Sequence, residues 1–448
     1  MLPYKPQSLG SLFSLFTQYI SLLFIKRFFE SIFGRSSEKL KLYITSTGEE
    51  CEFGGHEIEN NNETKNSVKL FIHKPIHFCW LTLLDQKMGL GETYTTGDWT
   101  AEPNPTEFLK LLIRAKKQRK RIEQRIRSSS KENFVRIVGG IILAIIRWIV
   151  TSYRYAQHRI RDNTLIQSAK NVEDHYDLGN DMFRMFLDPS MTYSCAIFQE
   201  PLEQVEKVNF EVLEQAQRRK MDQLIDMLDL KKSDRVLEIG CGWGACAIQA
   251  VKRSDCHWTG LTISYEQLEW AKSKVVEEGL QDKICFLYED YRLVSGQYDK
   301  IISVEMIEAV GQTYLPQYFK VISDRLVSGG KAVLQVIICP DAYYERYCQS
   351  SDFIKKYIFP GGHMPSLGAI KSSLPDDLTI GQIRHIGRHY ACTLDHWYNA
   401  WMKNEEGILA LGYARSFHRL WQYYFCLCSA LFANDHIDAV QFTITKNT

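Results

Sequence analysis

The residues best suited to chemistry sit in one short stretch, Glu238-Ile239-Gly240-Cys241-Gly242-Trp243-Gly244. The apolar run Arg235-Val236-Leu237 before it reads as a buried strand, and Ala245-Cys246-Ala247-Ile248 after it starts a helical pattern. Glycine permits a tight turn and lets a ligand approach the backbone, while a helix N-terminus presents N–H donors. The spacing is Gly-x-Gly-x-Gly, without the two-residue gap of the dinucleotide fingerprint. It suits a cofactor that lacks a pyrophosphate, such as S-adenosylmethionine. A tight strand–helix turn with no ligand is the plainer alternative. Other chemical candidates are thinner. His385 and His389 stand four apart but lack the central acid and third ligand of a zinc site, and His175 has no second ligand at useful spacing. No metal is expected. Cys426 and Cys428 form a Cys-x-Cys pair, which is more often two small hydrophobes than a redox site.

The elements that must hold the glycine turn alternate between strands and helices after Asn171. Further strands are predicted at Cys256–Thr262, Ile284–Tyr288, Tyr298–Val304 and Gly330–Val336, with helices such as Ser264–Glu278 between them. This alternation implies an α/β fold with a mainly parallel sheet and helices on both faces. Ligands in such sheets bind outside the carboxyl ends of the strands. Glu238, Thr262, Asp290 and Glu305 all fall near those ends.

The remaining chain sets the context. A length of 448 residues favours two domains, and 45% hydrophobic with 24% charged residues describes an ordinary globular protein. A net charge of +1 argues against a nucleic-acid binder. Twelve scattered cysteines fit a reducing compartment. Residues 1–35 form an apolar segment whose uninterrupted part, Gly10 to Ile25, is short for a span of about 20 apolar residues. A helix lying on a membrane surface and a helix packed on its own domain both fit it. Residues 36–110 read as a small α+β domain with strands at Lys41–Ile44 and Val68–Ile72 around an Asn60-Asn61-Asn62 loop. Residues 111–170 read as a basic and apolar helical linker. It contains Lys116, Lys117, Arg119, Lys120, Arg121, Arg125 and Arg127, then apolar Ile137–Val150. Such a run can bind anionic lipid at roughly 1 kcal/mol per basic residue, or it can be a solvated helix face. No aromatics interleave it for base stacking.

Several longer motifs carry a resemblance. They are His175-Tyr176-Asp177-Leu178-Gly179-Asn180-Asp181, Met191-Thr192-Tyr193-Ser194-Cys195-Ala196, the glycine turn, Leu261-Thr262-Ile263-Ser264-Tyr265-Glu266-Gln267 and Val304-Glu305-Met306-Ile307-Glu308-Ala309-Val310-Gly311. Asp352-Phe353-Ile354 through Gly361-Gly362 and Tyr423-Tyr424 to Cys428 complete the set. In this order they resemble the cyclopropane-fatty-acyl-phospholipid synthase and mycolic acid cyclopropane synthase family of S-adenosylmethionine-dependent methyltransferases. The resemblance runs from Asn171 to the C-terminus, so residues 171–448 are expected to form a Rossmann-like methyltransferase domain. It continues more weakly at Gly89-Leu90-Gly91-Glu92 and Gly97-Asp98-Trp99.

By position, the resemblance implies cofactor contacts at Tyr193, Ser194, Gly240, Gly242, Thr262, Gln267, Asp290 and Tyr291, to which the turn adds Glu238 and Cys241. It implies a bicarbonate ion beside the reacting carbon, held by Cys195, Glu308, Tyr398 and the backbone near Ile337. Gln335 stands where many members carry a histidine contacting that ion. Cys428 matches a cysteine proposed as a nucleophile, although helix packing explains it as well. The substrate implied is a cis double bond in an unsaturated phospholipid acyl chain at a membrane surface. Its π electrons take the sulfonium methyl carbon, and the resulting cation must be shielded from water before it loses a proton to bicarbonate. Aromatic faces such as Tyr390, Trp397, Tyr398 and Trp421 suit that task. The product is left open between cyclopropane, methylene and methyl branches. Two other readings stand beside this one, methylation of another lipid such as a sphingoid base, and a non-catalytic lipid-binding relative. The expected setting is cytoplasmic and peripheral to a membrane, with an integral N-terminal anchor as the alternative, no nucleic-acid partner, and a homodimer admissible.

Overall fold

The computed structural model describes residues 9–55, 68–126, 146–157, 161, 163–164, 167, 178–206 and 209–448. The Asn60–Asn62 loop, Arg127, residues 137–145, Asn171 and His175–Asp177 lie outside the described residues. The chain divides into two compact units, one of residues 1–153 with 414–430 and one of residues 154–413 with 431–448. The grouping departs from chain order. Residues 414–430, the greater part of helix Arg415–Ala433, belong with the N-terminal unit rather than with the expected methyltransferase domain.

The first unit is built on a four-stranded sheet of order β2-β1-β3-β4, with β1 Lys39–Ile44, β2 Glu49–Gly54, β3 Val68–Ile72 and β4 Trp99–Glu102. The alternation read in the sequence buries Leu40, Leu42 and Ile44 of β1 and Val68, Leu70 and Ile72 of β3. Phe29, Phe33, Phe78, Trp99 and Phe108 of the same unit are also fully buried, with Phe29 and Trp99 both edge-on to Phe108. The N-terminal helix Leu9–Phe33 therefore buries its C-terminal half through Phe29 and Phe33, while Phe16, Tyr19 and Ile20 stay exposed. Helix Pro105–Ile126 runs straight from the expected small domain into the expected linker. It is amphipathic: Phe108, Leu111, Leu112 and Ala115 are buried, and Lys117, Arg119, Lys120 and Arg121 are exposed. Arg114 pins it to Glu38 through a two-pronged contact at 2.7 and 2.9 Å. Among the described residues no helix is long and apolar enough to cross a membrane.

The second unit contains a seven-stranded sheet of order β10-β11-β9-β8-β5-β6-β7. Its strands are β5 Arg235–Ile239, β6 His257–Thr262, β7 Ile284–Tyr288, β8 Tyr298–Val304, β9 Leu326–Ile338, β10 Leu378–His385 and β11 Asp438–Lys446. The five strands read from the sequence are all present and pair in parallel, while β11 runs antiparallel to both its neighbours. Parallel strands are buried on both faces, which explains their near-continuous apolar runs. On β5, Leu237 and Ile239 face a layer closed by Leu315, Phe319 and Ile322, and Val236 faces Leu224, Ala247 and Leu268 on the other side. The chain leaves β5 for β6 and β7 in one direction and returns to β8 and β9 in the other. The switch point thus lies between β5 and β8, and their carboxyl ends open a crevice there.

Candidate active site

All ten residues expected to contact the cofactor line one cavity at those strand ends. Ser264 caps helix Tyr265–Glu277 and brings Gln267 back to the end of β6, where its carbonyl accepts a hydrogen bond from the Thr262 hydroxyl at 2.9 Å. After β7, Asp290 and Tyr291 form the next part of the wall, and Arg292 closes on Asp290 at 2.7 and 2.8 Å. Gly240 and Gly242 take positive φ angles of 83° and 51°, and helix Ala245–Ser254 begins at the cavity wall. Glu238 is buried and accepts from the Trp258 indole N–H at 2.9 Å, and burial pushes its carboxyl up to about 8. The glycine cradle answers directly whether this wall suits a cofactor. A Cβ on Gly242 would meet nothing within 4 Å, so the backbone faces open space where a ligand can lie against it. Neutral hydrogen-bonding groups at β6, a carboxylate after β7 and further charged groups near β5 and β8 fit a nucleoside carrying an amino-acid tail.

Glu305, at the carboxyl end of β8, stands on the wall of the same cavity. Its φ of 51° is left-handed, a conformation in which non-glycine residues are uncommon and often functional. Three donors converge on its carboxylate. The Cys195 backbone N–H reaches Oε1 at 2.9 Å, the Gln335 amide reaches Oε1 at 2.8 Å, and the Tyr390 phenol reaches Oε2 at 2.6 Å. Burial raises its proton affinity, and these donors work in the opposite direction by favouring the anion. Gln335 is itself oriented by Gln441, its direct partner across β9 and β11, whose amide donates to Gln335 Oε1 at 2.8 Å. That contact turns the Gln335 NH2 toward Glu305 and the Cys195 carbonyl, the latter at 3.2 Å.

Of the groups allotted from sequence to a bicarbonate ion, Gln335, the Cys195 N–H and the Ile337 N–H are engaged within the protein, while Glu308 Oε2 is buried without a hydrogen-bond partner among the described residues. Gln335 and the Cys195 N–H hold Glu305. The Ile337 N–H donates to Glu308 Oε1. Glu308 does not line the cavity, and its carboxyl is pushed up to about 8 by burial first and by the Glu305 charge second. The Cys195 thiol is raised well above its usual range by burial, so its backbone rather than its sulfur serves the cluster. The phenol in the cluster is Tyr390; Tyr398 lies eight residues further along the same helix, Gly387–Lys403. Cys428 and Trp421 belong to the first unit. Among the described residues no group of three or more histidines, cysteines and carboxylates could hold a metal. Sequence reasoning placed Glu305 at a strand end but gave it no role, and it missed Gln441 because β11 was not read. Replacing Gln335 with leucine should remove one of the three donors and strand the Gln441 amide. Turnover should fall about 10-fold to 100-fold. The acid limb of the pH–rate profile should also move up, because a donor to the charged form is lost.

The strand order, the single reversed strand and the glycine cradle at the switch point define an S-adenosylmethionine-dependent methyltransferase. The chain also superposes on the mycolic acid cyclopropane synthase CmaA1, solved with SAH and CTAB, at a TM-score of 0.57 and 30% identity over 62% of this chain and 98% of that one. Residues 163–442 match the family model for mycolic acid cyclopropane synthetase, and the chain belongs to that family. It is 34% identical to the tuberculostearic acid methyltransferase of Mycobacterium tuberculosis over 84% of this chain and 83% of that protein. It is 31% identical to the cyclopropane-fatty-acyl-phospholipid synthase of Escherichia coli K12, over 81% and 84% of the two.

Proposed function

We propose that the protein adds the methyl carbon of S-adenosylmethionine to the cis double bond of an unsaturated phospholipid acyl chain, with Glu305 as the proton acceptor. The observation that carries this reading is the convergence of three donors on a half-buried carboxylate at the cofactor cavity wall. When bound, S-adenosylmethionine supplies an electrophilic methyl carbon. An alkene is a weak nucleophile, so the protein's first contribution is alignment, which can supply about 7–11 kcal/mol of the barrier. Its second is a dry, aromatic wall for the cation left on the chain. Tyr193 lines the cavity and is backed by the fully buried Trp397, 5.1 Å from it and 6.1 Å from Tyr390 between ring centroids. Its third is the Glu305 carboxylate, which takes up the proton and leaves no need for bicarbonate. Loss of that proton from the added methyl group closes a cyclopropane, or after a hydride shift leaves a methylene branch.

The phospholipid acyl chain is supported by the likeness to the Escherichia coli cyclopropane-fatty-acyl-phospholipid synthase. A membrane-buried substrate calls for a membrane-facing surface. Exposed Phe16, Tyr19, Trp80 and Trp148, and the basic outer face of helix Pro105–Ile126, give the first unit groups that suit one. The test is incubation with S-adenosylmethionine and vesicles of an unsaturated phospholipid, in buffer with and without bicarbonate. The expected result is one CH2 added per converted chain, at a rate that bicarbonate does not change. Nuclear magnetic resonance of the released chains separates the cyclopropane from the methylene branch. A rate that collapses without bicarbonate and recovers when it is returned would place the proton acceptor outside the protein.

A further inference from the structure

One basic group of the cavity is neither used by the mechanism nor, among the described residues, held by a carboxylate. Lys220 lies on the inner face of helix Phe210–Leu228, is 2% exposed, and lines the cavity with Glu238 and Ser194. A buried ammonium is costly unless something balances it. It has three N–H donors. Its hydrogen-bond partner among the described residues is the Ser194 hydroxyl, at 2.8 Å, which carries no charge. The neighbouring carboxyls have other partners. Glu238 accepts from Trp258, Glu305 from its three donors, and Asp188 from Ser190 and the Thr192 N–H. The cavity wall contains one other basic side chain, Arg292, and that one closes on Asp290 and on the Asn163 carbonyl at 2.9 Å.

The two ends of the cofactor differ in charge. Its ribose and adenine are uncharged and call for hydrogen-bonding groups, which Thr262 and Gln267 at the end of β6 and Asp290 after β7 provide. Its amino-acid end carries a carboxylate, and a water-excluded carboxylate requires a cation. We infer that Lys220, with the Ser194 hydroxyl it holds, binds the α-carboxylate of S-adenosylmethionine. Gln217, three residues earlier on the helix, donates to the carbonyls of Thr192 and Ser194 at 3.3 and 2.9 Å. One helix face therefore positions both members of the pair.

The inference rests on the cofactor reading, and the test separates the two. Binding of S-adenosylhomocysteine and of methylthioadenosine, which lacks the amino-acid end, is measured by calorimetry for the native protein and Lys220→Met. Lys220→Met should weaken S-adenosylhomocysteine about 10-fold to 100-fold, the range for a charge-assisted contact, and leave methylthioadenosine within about threefold. Lys220→Arg, which keeps the charge, should lose less. Equal weakening of both ligands, or of neither, overturns the assignment. A native protein that binds neither ligand overturns the cofactor reading itself. Should Lys220→Met fail to fold, the native protein still decides: an S-adenosylhomocysteine analogue without its carboxylate should bind about 10-fold to 100-fold more weakly, and equal affinity refutes the role of Lys220.

Discussion

Glu305→Gln should lower turnover by about 10²-fold to 10⁴-fold, the contribution of a positioned general base, and leave S-adenosylhomocysteine affinity nearly unchanged. The amide keeps the volume of the carboxyl but cannot take up a proton. It also sets an NH2 against the N–H of Cys195, the NH2 of Gln335 or the hydroxyl of Tyr390, which are donors already. The native pH profile carries the same information. The active form is the carboxylate, and burial raises its proton affinity, so activity should be lost as pH falls through a value above that of an ordinary glutamate. Glu305→Gln should lack that limb. Glu305→Gly offers a complementary measurement. Glycine is at ease at the φ of 51° that Glu305 holds, and the three donors would then surround a space the size of a carboxylate. Added formate or bicarbonate should restore part of the activity to Glu305→Gly and none to Glu305→Gln. A fully active Glu305→Gln protein would place the base elsewhere.

How far the sequence could be read depends on whether a residue's partner is close in the chain. The parallel strands β5 to β9 were legible because burial on both faces gives each a continuous apolar run, and the cofactor wall follows from which residues end those strands. Thr262 and Gln267 are five residues apart, and their contact is local. The base cluster is of the other kind. Cys195, Glu305, Gln335, Tyr390 and Gln441 meet only once β8, β9 and β11 pair. Glu305 and Glu308 look equivalent in the sequence, both acids in one short motif. The end of β8 and a left-handed backbone turn Glu305 to the cavity, while Glu308 accepts from the Ile337 N–H. The grouping of 414–430 is of the same kind: nothing local in Arg415–Ala433 says that these residues join the N-terminal sheet unit. Arg419 makes that contact, donating to the Tyr94 and Trp99 carbonyls at 2.7 and 3.1 Å.

Gly242→Val should abolish measurable S-adenosylhomocysteine binding in a protein that still folds, and Gly240→Val should not give so clean a result. Both glycines line the cavity, and both have positive φ angles that cost a branched residue roughly 1–2 kcal/mol. They differ in what a side chain would meet. At Gly240 a Cβ would come within 2.8 Å of Met306 Cγ and 3.1 Å of Met306 Cβ. Valine there must displace Met306, the residue that follows Glu305, so stability, cofactor binding and the base would all suffer together. At Gly242 a Cβ would find no atom within 4 Å, so valine would project into the space proposed for the cofactor and disturb little else. The expected signature is a Gly242→Val melting temperature within a few degrees of native, about the shift of 1 kcal/mol or so in a domain of this size. Calorimetric affinity should fall by about 100-fold or more, a loss of ~2.7 kcal/mol. Gly242→Ala should fall between native and Gly242→Val, because its methyl group occupies only part of the same space. Full S-adenosylhomocysteine affinity in a folded Gly242→Val protein would mean that the ligand does not lie against this turn.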